Sequence, residues 1–185
     1  MLEPEGFAAV ISAAGRGEHW ALTGLFRAYQ PMLVRYLRGQ EPWAADDLAS
    51  EVWVAAARRL PWFDGDELGF RRWLFTIARR RLIDHRRAEG RRCVQLMGHE
   101  RLDRPDPASD RGDPAVLVTE QLSAQDAVDA LIDGLPPDQA EAVLLRVVGE
   151  FPVAEVARIM GRSPGAVRVL CHRGLRRLAA LGAVE

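Results

Sequence analysis

The segment from Phe70 to Arg87, FRRWLFTIARRRLIDHRR, constrains the fold of this chain more than any other. Its apolar residues recur every three or four positions, at Phe70, Trp73, Leu74, Ile77, Ala78 and Leu82. This spacing predicts an amphipathic α-helix with one face in a core. From Arg71 to Arg92 the chain has nine arginines against Asp84 and Glu89, a local charge of 9 − 2 = +7. Such a surface is typical of proteins that bind a polyanion, although a merely solvated cationic face would carry the same charge.

The overall charge shows that this positive surface is local. The 185 residues have a net charge of −1 and a pI of about 6.4, which excludes a protein that coats nucleic acid by bulk charge. The start, MLEPEGFAAV, lacks the basic and apolar regions of a secretory signal. Since no apolar run approaches the roughly 18 to 20 residues that span a bilayer, we expect a cytoplasmic chain without direct membrane insertion.

The two cysteines, Cys93 and Cys171, give no sign of a metal site. They lie far apart in sequence and lack the spacing of metal ligands. Cys171 precedes His172, but adjacent residues on a helix point in different directions. We therefore expect no metal, no cofactor and no structural disulfide.

The N-terminal part reads as a series of helices. Residues 7–11 and 20–37 have helical periodicity, and Pro31 predicts a kink or a break in the second of these segments. A further helix follows Pro42, in AADDLASEVWVAAARRL, where Asp46 and Asp47 suit the positive end of the helix dipole. Because the apolar stripe of this helix can face a core, we expect Asp47 and Glu51 to face solvent or a partner.

A change of composition divides the chain into two modules. From Arg91 to Ala115 the segment has three prolines, mixed charges and little apolar periodicity, which is typical of an extended linker. We assign residues 1–92 to an N-terminal domain, 93–115 to the linker and 116–185 to a C-terminal domain. Neither module has a strand-like alternation. The expected fold class is therefore all-α, with two small helical domains joined by a flexible linker.

The C-terminal module carries a predicted helix-turn-helix. A helix is expected from about 116 to 132, and another after Pro137 with a stripe of Ala140, Val143, Leu144 and Val147. A short apolar helix, residues 153–160, precedes the turn residue Gly161, and Ser163 with Pro164 can begin a second helix. On that helix we expect Val167, Leu170, Leu175 and Leu178 to pack inward. Residues 161–178 contain five arginines and no carboxylate, as in a recognition helix.

These segments, in this order, resemble an RNA polymerase sigma factor of the extracytoplasmic-function (ECF) group. DDLASEV resembles region 2.2 of that family, and FRRWLFTIARRRLIDHRR resembles regions 2.3 and 2.4. LPPDQAEAVLLRVVGEFPVAEVARIMGRSPGAVRVLCHRGLRRL resembles region 4. The resemblance implies a non-catalytic factor that binds core RNA polymerase, directs it to promoter DNA and helps to open the minus-ten element. An anti-sigma factor is also implied.

The resemblance further implies a role for particular residues. The chain is expected to dock on two parts of the polymerase, the beta-prime clamp helices and the beta flap. The residues implied at the clamp helices are Asp46, Asp47 and Glu51. The residues implied at the minus-ten element are Asp64, Arg71, Arg72, Trp73, Arg79, Arg80 and Arg86. Those implied at the minus-thirty-five element are Arg162, Arg168, Val169, His172, Arg173, Arg176 and Arg177. We expect no further domain after Leu181.

Two positions depart from the family pattern. Arg80 stands where most members have asparagine, so the base preference of the minus-ten pocket is open. Val169 replaces a common serine or threonine, and its apolar side chain suits a thymine methyl group.

Two other classes remain as alternatives. One is a conventional helix-turn-helix regulator, which would bind an operator without polymerase and usually as a dimer. The other is an enzyme that uses Asp84 with His85, or Cys171 with His172. Neither of these pairs has a third orienting group beside it in the sequence or a glycine-rich loop.

Overall fold

A computed structural model describes residues 4–99 and 134–181 of the chain. Its α-helices are α1 (Pro4–Gly15), α2 (His19–Arg38), α3 (Ala45–Ala57), α4 (Glu67–His99), α5 (Pro137–Val147), α6 (Val153–Met160) and α7 (Pro164–Leu181). A short 3₁₀ helix, Leu60–Trp62, joins α3 to the loop before α4. The two described ranges contain no strand, which confirms the all-α prediction.

The first module, α1 to α4, packs around Phe70. This ring is fully buried and lies 5.2 Å from the ring centre of Tyr29, 5.5 Å from that of Phe63 and 5.9 Å from that of Phe7. One turn further, Leu74 and Ile77 continue the buried face of α4. Such clusters of aromatic rings stabilise a protein core because they bury apolar surface and because tilted and edge-to-face ring contacts are favourable. The apolar stripe expected from the sequence is therefore a core face.

Helix α4 begins at a capped turn and runs longer than expected. The carboxylate of Asp66 accepts a hydrogen bond of 2.7 Å from the backbone N–H of Gly69, which satisfies one of the free donors at the helix start. The helix then continues to His99 and so extends into residues 93–99 of the segment predicted as a linker. The remainder of that linker and the helix expected at 116–132 lie outside the described residues.

Pro31 does not interrupt α2. The helix is continuous from His19 to Arg38, so the alternative of two separate helices is wrong. Proline removes one backbone donor and normally weakens a helix interior. Here Tyr29 and Leu33, on either side of Pro31, are both buried in the core, and this packing holds the two halves in one element.

The second module has the expected helix-turn-helix. Gly161 ends α6 in the left-handed conformation, with φ 64°, where glycine has no steric cost. The hydroxyl of Ser163 then accepts a 3.2 Å hydrogen bond from the N–H of Ala166, which caps α7. Val167 is fully buried between these helices and their neighbours.

Two apolar residues of this module lie outside its core, contrary to the sequence prediction. Val147 is 61% exposed because α5 ends there and Val148 takes the inward position. Leu175 is 50% exposed because Gly174 is the inward residue on that turn of α7. A Cβ at Gly174 would lie 2.7 Å from Val143 Cγ2, so α7 approaches α5 more closely than any larger residue allows.

The two modules pack against each other mainly through α4 and α6, with further contacts from α5 and from the segment before α6. The ring of Phe75 on α4 meets that of Phe151 edge-on, with 5.1 Å between ring centres. Both side chains are fully buried. Within residues 4–99 and 134–181, no helix is both long and apolar enough to cross a bilayer.

Candidate polymerase and nucleic-acid interfaces

The acidic residues of α3 form an exposed face. Asp46, Asp47 and Glu51 project away from the buried residues of the same helix. Asp46 lies 3.5 Å from Arg38, and Glu51 lies 3.6 Å from Arg81. Exposed pairs of this kind contribute little stability, roughly 0 to 1 kcal/mol, so these carboxylates can exchange partners at low cost. The face is therefore available for a cationic docking surface.

A cleft of about 610 Å³ lies where the 3₁₀ helix, the following loop and α4 meet. Its lining residues are Arg59, Trp62, Phe63, Asp64, Gly65, Asp66, Gly69, Arg72, Trp73 and Thr76. Asp64 and Trp73, both selected from the sequence, lie in this cleft together. Its chemistry of aromatic rings beside arginine suits an unstacked nucleobase and its phosphate.

Trp62 also lines this cleft, although it was not among the residues predicted from the sequence. Its side chain is 80% exposed, which is unusual for so large an apolar group and leaves one ring face free for stacking. Phe63, the next residue, instead packs on Phe70 and Trp73 with ring centres 5.5 and 5.2 Å away. The signal available in the sequence was the run Pro61-Trp62-Phe63 before the turn at Gly65.

The arginines of α4 occupy three different environments. Arg80 is exposed and has no ion pair among the described residues. Arg86 is held at the α2–α3 connection, where its Nε lies 2.6 Å from Glu41 and its Nη2 donates to the carbonyl of Gln40 at 3.0 Å. Arg71, Arg72 and Arg79 instead face the second module. The structure thus does not present the expected minus-ten arginines as one open surface.

The candidate minus-thirty-five residues do form one exposed surface on α7. His172, Arg173, Arg176 and Arg177 line a shallow cleft of about 600 Å³ together with Gln139 and Ala180. Arg168 and Val169, one turn earlier, are also exposed. No carboxylate lines this cleft, so its field is positive and suits a phosphate backbone and the acceptor groups of bases.

Arg162 stands apart from this set. It precedes α7, and its Nη2 lies 2.6 Å from Asp138 at the start of α5. Both side chains are about half exposed. Arg162 therefore lies at the edge of the α7 surface, and its positive charge is partly neutralised by Asp138.

Asp84 and Cys171, two of the groups considered for catalysis, each contact another group of the chain. Asp84 pairs with Arg87, and Cys171 contacts the carbonyl oxygen of Ala142 at 3.5 Å. Burial raises the pKa of the Cys171 thiol, the opposite of what a nucleophilic cysteine requires. In the part of the chain that is described, no three metal-ligating side chains come together.

Comparison with known protein families agrees with these surfaces. The family model for Sigma-70 region 2 matches residues 25–92, and that for Sigma-70 region 4 matches residues 125–178. The acidic face, the aromatic cleft and α4 up to Arg92 fall in the first range, and the α7 surface falls in the second. Together the two models match more than half of the chain.

Curated relatives and a solved structure extend the comparison. The chain is 35% identical to the ECF RNA polymerase sigma factor BldN of Streptomyces coelicolor, over 93% of this chain and 64% of BldN. It is 32% identical to the ECF RNA polymerase sigma factor ShbA of Streptomyces griseus, over 94% of this chain and 93% of ShbA. Its fold is similar to that of the sigma factor RpoE, solved in complex with the anti-sigma factor NepR from Bartonella quintana (TM-score 0.68, 23% identity, 88% of this chain and 97% of RpoE).

A two-module helical protein with a helix-turn-helix and matches to both sigma regions is a sigma factor of the sigma-70 class. The chain belongs to the ECF group of that family. The chain accordingly functions in promoter-directed initiation of transcription.

Proposed function

We propose that this chain is a cytoplasmic, non-catalytic sigma factor that docks on core RNA polymerase through α3 and reads two promoter elements with its two modules. The observation that carries the proposal is the α7 surface, where His172, Arg173, Arg176 and Arg177 are exposed together and no carboxylate lies among them. A helix-turn-helix whose second helix is cationic in this way fits the major groove.

The first module supplies the polymerase contact and the minus-ten site in this proposal. Asp46, Asp47 and Glu51 dock on the clamp helices of the beta-prime subunit, since their exposed carboxylates suit a cationic partner. The cleft beside Trp62 and Trp73 receives a base from the opened minus-ten element. Unstacking a base costs a few kcal/mol, and aromatic stacking in the cleft offsets part of that cost.

The second module supplies the minus-thirty-five site. Arg168, Val169, His172 and Arg173 approach the base edges, because they lie on the first three turns of α7. Arg176 and Arg177, near the end of the exposed face, contact phosphates, as does Arg162 at its edge. The module also contacts the beta flap of the polymerase.

Regulation by an anti-sigma factor belongs to the same proposal. RpoE, whose fold is similar, was solved with such a partner, and an anti-sigma factor that covered α3 or α7 here would block docking or promoter reading. Affinity purification from the native cell tests this point. Recovery of a second protein that blocks core binding supports it, whereas recovery of polymerase subunits alone contradicts it.

Selection of genomic DNA tests the promoter-reading function. Core polymerase is incubated with the chain and with genomic fragments of the source organism, and the retained fragments are sequenced. We expect two motifs whose centres lie about 25 base pairs apart, a spacing of about 85 Å at 3.4 Å per base pair. Motifs that the chain retains without core polymerase would instead indicate a conventional operator-binding regulator.

A further inference from the structure

Gln139, near the start of α5, is a buried polar residue in the shallow cleft on α7. It lines this cleft together with the exposed side chains of His172, Arg173, Arg176 and Arg177. Gln139 itself is only 9% exposed, and its side-chain oxygen, Oε1, is buried without a hydrogen-bond partner among the described residues. Because buried amide oxygens normally accept a hydrogen bond, an unpaired one calls for an explanation.

The unpaired oxygen makes the free chain less stable than an apolar side chain of the same size would. Burial removes the water that would otherwise bond to the amide, and no described residue replaces that water. The chain has glutamine at this position even though the neighbouring buried residues Ala140, Ala142 and Val143 are apolar. A polar group that is unpaired in the free protein and lines a candidate binding cleft is expected to gain its partner in the complex.

The position of Gln139 is fixed by the close approach of α5 and α7 at Gly174. A Cβ added at Gly174 would lie 3.6 Å from the Cβ of Gln139 and 3.4 Å from its backbone carbonyl oxygen. The backbone of Gln139 is held as well, since its N–H donates a 2.8 Å hydrogen bond to the carbonyl of Pro136. Gln139 is therefore a fixed neighbour of the turn of α7 that contains Gly174.

Arg177 is the arginine of the cleft best placed to reach Gln139. The Cα–Cβ bonds of an α-helix tilt toward its N-terminus, so a long side chain covers the turn that precedes its own Cα. For Arg177 this is the turn that contains Gly174, whereas Arg173 covers the turn before it. At about 100° per residue, Arg177 lies about 60° around the helix from Gly174, and Arg176 lies about 160° away.

The two side chains have complementary chemistry. A guanidinium has five N–H donors in one plane, and a phosphate accepts two of them side by side. When DNA covers the cleft it excludes water, and the remaining donors of Arg177 then need acceptors in the protein. No carboxylate lines the cleft, and the adjacent Asp138 lies 2.6 Å from Arg162. Gln139 Oε1 can accept from Arg177, and because the amide is neutral it leaves the positive charge to the phosphate.

We propose that Gln139 is a positioning residue for Arg177. In the promoter complex its Oε1 accepts a hydrogen bond from the Arg177 guanidinium, which directs the other donors of Arg177 at one phosphate. The inference rests on the proposed function, in which Arg177 contacts the backbone of the minus-thirty-five element. Gln139 itself does not touch DNA, and its contact with Arg177 forms when DNA closes the cleft.

Two double-mutant cycles test the inference. Gln139→Met removes the acceptor and keeps the length of the side chain, and Arg177→Ala removes the guanidinium. The matched control cycle combines Gln139→Met with Arg176→Ala, because Arg176 lines the same cleft on the other side of α7. Filter binding of each variant, in complex with core polymerase, to a promoter fragment that the wild-type complex selects gives the Kd at several salt concentrations.

We expect Gln139→Met to weaken binding about threefold to tenfold in the wild-type background, and by less than about twofold when Arg177→Ala is already present. Beside Arg176→Ala, its effect should remain complete. Gln139→Met should also reduce the slope of log affinity against log salt concentration by up to about one, although it changes no charge. A merely structural role for Gln139 would leave this slope unchanged.

Urea denaturation of the same variants controls for folding. Because methionine removes an unpaired buried oxygen, Gln139→Met should be at least as stable as the wild-type chain. If it loses helix by circular dichroism, Gln139→Leu, which also lacks an acceptor, provides the same cycles.

Equal effects of Gln139→Met beside Arg177→Ala and beside Arg176→Ala, or an unchanged salt slope, would overturn the inference. These results are distinguishable from a failure of the proposed function. A wild-type complex that retains no promoter fragment contradicts promoter reading itself, whereas normal retention with two additive cycles contradicts only the role of Gln139.

Discussion

Arg79 Nε lies 2.7 Å from Glu141 Oε1, although the two residues are 62 positions apart in the sequence. The first belongs to the segment matched by Sigma-70 region 2 and the second to that matched by region 4. This hydrogen bond joins the cationic helix of one promoter-reading module to a carboxylate of the other.

Gly174 is required for the packing of the recognition helix. An alanine Cβ there would meet Val143 Cγ2 at 2.7 Å, whereas at Gly165, also on α7, the nearest atom is Ser163 Oγ at 4.0 Å. Overpacking costs about 1 to 3 kcal/mol, and both substitutions share a gain in helix propensity. We expect Gly174→Ala to be about 1 to 3 kcal/mol less stable than Gly165→Ala in urea denaturation. Equal stability would show that α7 can shift away from α5.

Trp62 contributes to promoter opening if the cleft receives a base. Base–aromatic stacking contributes about 1 to 3 kcal/mol. Trp62→Ala should therefore lower formation of open complexes by about tenfold, as measured by permanganate reactivity, without weakening core binding. Trp20→Ala is the control, since Trp20 is 58% exposed on α2 and does not line the cleft. A similar loss in both variants would contradict a specific role for Trp62.

The prediction of a core face on α4 followed from periodicity, but the burial of Arg71 did not. Phe70, Leu74, Ile77 and Leu82 form the stripe visible in the sequence, and all four are buried. Phe75 and Arg71 are buried on another side of the same helix, against the second module. Contacts between distant segments have no periodic signal, so the sequence could not separate free arginines from those that the second module covers.

Glu51 tests the acidic docking face. Glu51→Arg reverses a charge on α3 and should weaken binding to core polymerase about tenfold or more, or about 1.4 kcal/mol, because it places a cation opposite a cationic partner. Glu89→Arg, an exposed reversal on α4, is the control and should bind normally. Competition binding with labelled core polymerase measures both. If the two variants bind core polymerase equally well, the assignment of α3 is wrong.

Arg173 and Arg177 should differ in what they read. Arg173→Ala should cost about 1 to 3 kcal/mol and relax base preference at one position of the minus-thirty-five element. Arg177→Ala should weaken binding to all sequences. It should also reduce the slope of log affinity against log salt concentration by about one, as expected when one phosphate contact is lost. Filter binding of the polymerase complex to point-variant promoters, at several salt concentrations, separates the two. Equal losses on every sequence would contradict base reading by Arg173.

The helix-turn-helix was predictable because its signals are local. Gly161 and Ser163 set the turn and the cap through their own backbone and side-chain chemistry, and the structure shows both. The exposure of Leu175 was not predictable in the same way. It depends on how closely α7 approaches α5 at Gly174, which is a property of the packed helices.

Run-off transcription tests the central claim most directly. Core polymerase free of sigma factors is supplied with the chain and with the genomic fragments that the complex selects. We predict transcripts that start at a fixed distance from both motifs, require the chain, and are lost when Glu51→Arg replaces the wild type. Core polymerase that makes no specific transcript with the chain, while the chain alone binds the same fragments, would contradict its action as a sigma factor.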